Sequence, residues 1–141
     1  MTRRRATILL HWSVFLLAIL IMATSTPLAA LNWAFAICGL AMVAIALVKG
    51  LMGGPGPKLQ GALRTAHPWM HRALYAGLAY ASVAAAFFEL DRPLPGPELP
   101  RLMFFVISVA SLHGIFHLWR HTALGDGALR RMTPKAVHGI L

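Results

Sequence analysis

The chain has 141 residues, 58% of them hydrophobic and only 12% charged, a balance that does not suit a soluble domain and points to a small polytopic membrane protein. Its formal charge of +9 would fit a nucleic-acid binder only if the basic residues shared one water-facing surface, and they fall instead in short segments between apolar runs. The single cysteine, Cys38, sits inside an apolar run, so it forms no internal disulfide and reads as a small packing group.

The first apolar run, residues 6–25, follows Arg3-Arg4-Arg5. Its roughly 20 residues match the hydrocarbon thickness of a bilayer better than the short core of a signal peptide, so it is expected to span. Thr26-Pro27 breaks it, and a short uncharged turn leads to a second span over residues 31–48, closed by Lys49 and Gly50. The glycines, prolines and basic residues of 53–66 predict a polar loop. A third span is expected over 71–88. The stretch 89–100 carries four prolines with Glu89, Asp91 and Glu98, and it reads as an external loop. A fourth span follows over 102–119, after which Asp126-Gly127 turns the chain into a basic tail with Arg130, Arg131 and Lys135.

Of the 13 Lys and Arg, only Arg92 and Arg101 fall on the side of the 89–100 loop, which leaves eleven on the side of the termini. The positive-inside rule then places both termini in the cytoplasm and accounts for the charge without nucleic acid. With no internal repeat and no separate soluble part, residues 1–141 are expected to form one all-α membrane domain, a four-transmembrane-helix bundle.

Ionisable residues at membrane depth are functional candidates by default. His11 and His113 each lie five or six residues inside the cytoplasmic end of their spans, roughly 8 to 9 Å below that surface at 1.5 Å per residue. Two histidines on different helices thus share one level, as axial ligation of a buried macrocycle from both sides requires. His117 is one turn shallower, and His67, His71 and His121 lie at or near the interface, where each taken singly reads as solvated or phosphate-contacting. The pairs His67/His71 and His113/His117 have the i, i+4 spacing that holds zinc or copper. The only carboxylate on that side, Asp126, argues against a metal transporter. Gly39 would admit a neighbouring backbone or a flat ligand, and Lys49 would either pair with carboxylates or reach lipid head groups. Trp12, Trp33, Trp69 and Trp119 fit an aromatic belt.

In these residues the chain resembles the bacterial cytochrome b561 family, four-helix membrane cytochromes related to superoxide oxidase and to the cytochrome b subunits of hydrogenases and formate dehydrogenases. The resemblance spans nearly the whole chain. It is carried by Leu10-His11-Trp12-Ser13-Val14-Phe15-Leu16-Leu17, by Cys38-Gly39-Leu40 with Lys49, by His71 with Tyr75, and by Leu112-His113. His121, Asp126-Gly127 and Leu129-Arg130-Arg131-Met132-Thr133-Pro134 complete it.

The resemblance implies b haem, with His11 and His113 as axial ligands of a cytoplasmic-side group and with His71, Gly39, Lys49, Arg72, Arg120 and His121 around it. The family's second haem takes histidines at two positions that here are Phe35 and Leu99. Pro100 after Leu99 is also expected to push that residue's backbone away from helix. One haem, not two, is therefore expected, and the outward electron path and superoxide chemistry of the two-haem relatives are not carried over.

Two axial histidines leave iron no open position, so electron transfer rather than autonomous enzyme catalysis is the implied chemistry. Quinone is the implied mobile partner, although Arg120-His121 replaces an adjacent histidine pair common in the family. The expected setting is the bacterial inner (cytoplasmic) membrane, with other membrane subunits or a second copy as partners in the bilayer. The alternative is a structural or accessory subunit of a larger respiratory or photosynthetic membrane complex, keeping the bundle with or without redox activity. The roles of His67, His117 and His138 stay open.

Overall fold

The structure is a computed structural model that describes residues 2–24 and 26–140; Ser25, at the end of the first expected span, lies outside the described residues. Among the described residues every regular element is helical: α1 (Arg3–Ala23), α2 (Ala29–Lys49), α3 (Gly61–Glu89), α4 (Leu99–Thr122), the short α5 (Ala128–Met132) and a final 3-10 segment, Lys135–Ile140. Three of these, α1, α2 and α4, are long and apolar enough to cross a membrane.

The helix ends follow local chemistry. Thr2 opens α1 with its hydroxyl accepting from the Arg5 amide at 3.5 Å, and α2 stops at Gly50, whose φ of 76° suits a residue without a side chain. Helix α3 departs from expectation by starting at Gly61, inside the stretch expected to be a loop. Leu59 is buried just before it, and Arg64 reaches back to the carbonyls of Gly56 and Leu59 at 2.7 and 3.3 Å. These tertiary bonds fix the first turn, and Pro68 then lies inside the helix without ending it.

Leu99 also departs from expectation, because it is the first residue of α4. Pro100 occupies the first turn, where an amide would have had no intrahelical acceptor in any case.

The helices form a ring in which α1 lies beside α2 and α4, and α3 beside α2 and α4. Gly39 makes the α2–α3 contact close: a Cβ there would run into the Ser82 side chain and press on Leu78. One half of the bundle is packed solid by Val14, Ala18, Phe35, Ala36, Ala81, Ala85, Leu99, Leu102 and Met103. At that end Asn32 of α2 donates to Glu89 of α3 at 2.6 Å, and Tyr80 donates to the Pro95 carbonyl at 2.6 Å. The other half opens into a cavity.

Candidate functional site

The cavity measures about 1000 Å³ and is largely apolar, with Thr7, Val14, Phe15, Met42, Leu74 and Val106 among its lining residues. That is the upper end of the range for pockets that enclose organic ligands, roughly 300 to 1000 Å³. Five of the seven histidines line it: His11 from α1, His67 and His71 from α3, and His113 and His117 from α4. Arg4, Arg120 and Arg131 line it too, and among the described residues no carboxylate does.

The histidines divide into two groups. His11 faces His113 across the α1–α4 contact, with ring centroids 6.4 Å apart, and it makes no ring contact with the other three. His113 in turn lies 4.4 Å from His117 and 5.1 Å from His71, centroid to centroid. His67 is 4.3 Å from His71 and 6.2 Å from His117. The imidazole nitrogens of His67, His71 and His117 include one from each ring that all lie within 4.8 Å of one another.

Hydrogen bonding leaves much of this set unsatisfied. The Nδ1 of His113 and both ring nitrogens of His117 are buried without a hydrogen-bond partner. A buried polar atom left unsatisfied costs about 1 to 3 kcal/mol, so several on one cavity wall mark a place that a ligand would complete. His71 is oriented: its Nδ1 bonds the His67 carbonyl at 2.9 Å. His67 lies outside the expected third span, and burial, reinforced by His71, Arg120 and Arg131 and opposed by Asp126, pushes it down to about 4. It is therefore neutral at pH 7.

Arginines bonded to backbone carbonyls line part of the cavity. Arg120 is fully buried. It pairs with Asp126, its Nε at 2.8 Å from Oδ2, and donates to the Pro55 carbonyl at 2.5 Å. Arg131 donates to Gly54 at 3.1 Å and Arg4 to Arg130 at 2.9 Å, while Trp12 donates to Met132 at 2.9 Å. Lys58 bonds Gly125 at 2.9 Å and Arg3 bonds Gly50 at 2.6 Å. The loop after α2 and the tail after α4 are thus bound together over one end of the bundle.

Of the residues expected at the site, His11, His71, His113 and Arg120 line the cavity. Gly39 instead serves the α2–α3 contact. Lys49 is exposed beyond the cavity, Arg72 lies over the Trp69 ring at 4.7 Å, and His121 is outside the lining. His67, expected to be a solvated interfacial residue, is 4% exposed. Sequence reasoning left out Arg4 and Arg131, and it kept His67 and His117 in separate pairs. The signal that would have joined them is that both pairs stand at the same end of adjacent helices.

Two imidazoles on opposite sides of one metal, each bonded at about 2 Å, have ring centroids roughly 6 Å apart. The His11–His113 separation fits that requirement for haem, and the apolar lining with a cationic mouth suits a macrocycle bearing carboxylates. No known protein family, curated protein or solved structure matches the chain, so the family resemblance rests on the residues quoted above.

Proposed function

We propose that the chain is a membrane-bound b-type cytochrome that holds a single haem between His11 and His113 and transfers single electrons, exchanging them with quinone in the surrounding lipid. In this reading α3 joins α1, α2 and α4 in crossing a bacterial cytoplasmic membrane, and both termini lie in the cytoplasm. The observation that carries it is the His11–His113 ring separation of 6.4 Å at the wall of a cavity of about 1000 Å³.

When bound between two imidazoles, haem supplies reversible one-electron chemistry at its edge rather than an open coordination position. The chain's own residues would do the rest. His11 and His113 would hold its iron through ring nitrogens. Arg120, held by Asp126, and Arg4 and Arg131 would set a positive field for carboxylates at the cavity mouth. The apolar walls would keep water out and the dielectric low. In the other half, Phe35 and Leu99 are packed into the core and present no lone pair, which supports one group per chain rather than two.

The test is a reduced-minus-oxidised spectrum with haem quantitation on the purified protein. One haem per chain, lost in His11→Ala and in His113→Ala, is expected. A haem-free protein would overturn the reading, and two haems per chain would overturn the assignment of Phe35 and Leu99.

A further inference from the structure

The His67, His71 and His117 group is left over once His11 and His113 are assigned. We propose that these three histidines form a second site, for a late transition-metal ion such as Zn²⁺, separate from the His11–His113 pair and independent of whether haem binds there.

Three observations converge on it. One nitrogen from each ring already lies within 4.8 Å of the others. Nitrogens on one tetrahedral zinc ion, bonded at 2.0 to 2.1 Å, stand roughly 3.3 Å apart. The widest pair therefore needs to close by at most about 1.5 Å to reach that spacing. Next, His71 is held as a ligand should be. A carbonyl only accepts, so the Nδ1 facing the His67 carbonyl at 2.9 Å carries the proton and Nε2 keeps its lone pair. Metal-bound histidines are commonly oriented by this kind of bond to a backbone oxygen. Finally, both nitrogens of His117 are buried without a hydrogen-bond partner, so one of them is available to a metal at no cost in lost bonds.

The chemistry selects the ion. Three neutral imidazoles with no carboxylate suit zinc, copper or nickel and not magnesium or calcium, which require oxygen. No ligand cancels the charge of a divalent ion, and Arg120 and Arg131 stand nearby with only Asp126 to offset them. The fourth position therefore goes to water or to a small anion from the cavity, the three-ligand pattern that zinc takes when it keeps an open position. His11 makes no ring contact with any of the three and meets the group through His113.

The experiment is Zn²⁺ binding to the full chain in detergent, with bound metal counted after desalting and X-ray absorption on the zinc-loaded wild-type protein. The expected result is one Zn²⁺ per chain with three imidazole neighbours. Affinity should fall at least tenfold in His67→Gln and in His117→Gln, and stay unchanged in His138→Ala. No stoichiometric zinc, or zinc with fewer than three imidazoles, would overturn the proposal, and so would equal binding by the His67 and His117 variants. The absorption measurement uses no variant, so a misfolded substitution does not remove the test. Haem content measured on the same samples reports separately on the cytochrome reading.

Discussion

Arg120 and Asp126 form a pair that is almost wholly out of water, with side-chain exposures of 0% and 1%. The guanidinium also holds the Pro55 carbonyl, and the second oxygen of Asp126 accepts the Ala128 amide at 2.8 Å, starting α5. Removing the carboxylate alone strands a buried charge, so Asp126→Ala should destabilise the protein by about 3 to 5 kcal/mol. The double replacement Arg120→Met with Asp126→Ala should cost less than that single change. Thermal unfolding of the two variants in detergent measures the difference.

Gly39 is expected to be structural. Gly39→Ala should cost about 1 to 3 kcal/mol by forcing α2 from α3. Ser82→Gly removes the obstructing side chain, so the double variant should recover most of the loss. Haem content per folded chain should not change. A loss of haem in Gly39→Ala without a loss of stability would return Gly39 to the cofactor site.

The basic residues should separate by position. Lys49→Ala and Arg72→Ala lie outside the cavity and should leave any haem content and spectrum as in wild type. Arg131→Ala removes a cation from the cavity lining, and the midpoint potential of any haem there should fall because a positive charge that favours the reduced, less positive state is gone. Redox titration of the three variants gives the order.

The burial of His67 has a pH signature. Unfolded, this side chain takes a proton below its ordinary value of 6.5, whereas folded it does so only below about 4. Between those values the unfolded chain binds the additional proton, so this residue's contribution to stability is complete above 6.5 and declines as pH drops toward 4. The groups around it are His71, His117, Arg120, Arg131 and Asp126. His67→Gln should flatten the acid limb of a melting-temperature profile, and an unchanged limb would show that His67 is solvated.

The apolar helices were legible from their runs alone, because α1, α2 and α4 each carry a long, mostly hydrophobic stretch bounded by charge, proline or glycine. Helix α3 was legible over 71–88, the expected third span, but not over 61–70, a mixed stretch that contains Pro68. Its helical state depends on Leu59 being buried and on Arg64 reaching back to Gly56, contacts that no local pattern encodes. Leu99 was misread for the opposite reason: a local rule about residues before proline was applied where the first turn of a helix relaxes it. At the site, the shared level of His11 and His113 was legible from depth, and their rings stand 6.4 Å apart. The burial of His67 was not, since it depends on the loop and tail folding over the bundle end. Gly39 illustrates an ambiguity sequence cannot resolve, because a close helix and a flat ligand demand the same missing side chain.

Three bonds from basic side chains to backbone carbonyls, those of Lys58, Arg120 and Arg131, join residues 54–58 to residues 120–131. The first of these segments follows α2 and the second begins in the last turn of α4. Two stretches remote in sequence thus form one cap over the bundle end, so a change that loosens either should loosen both.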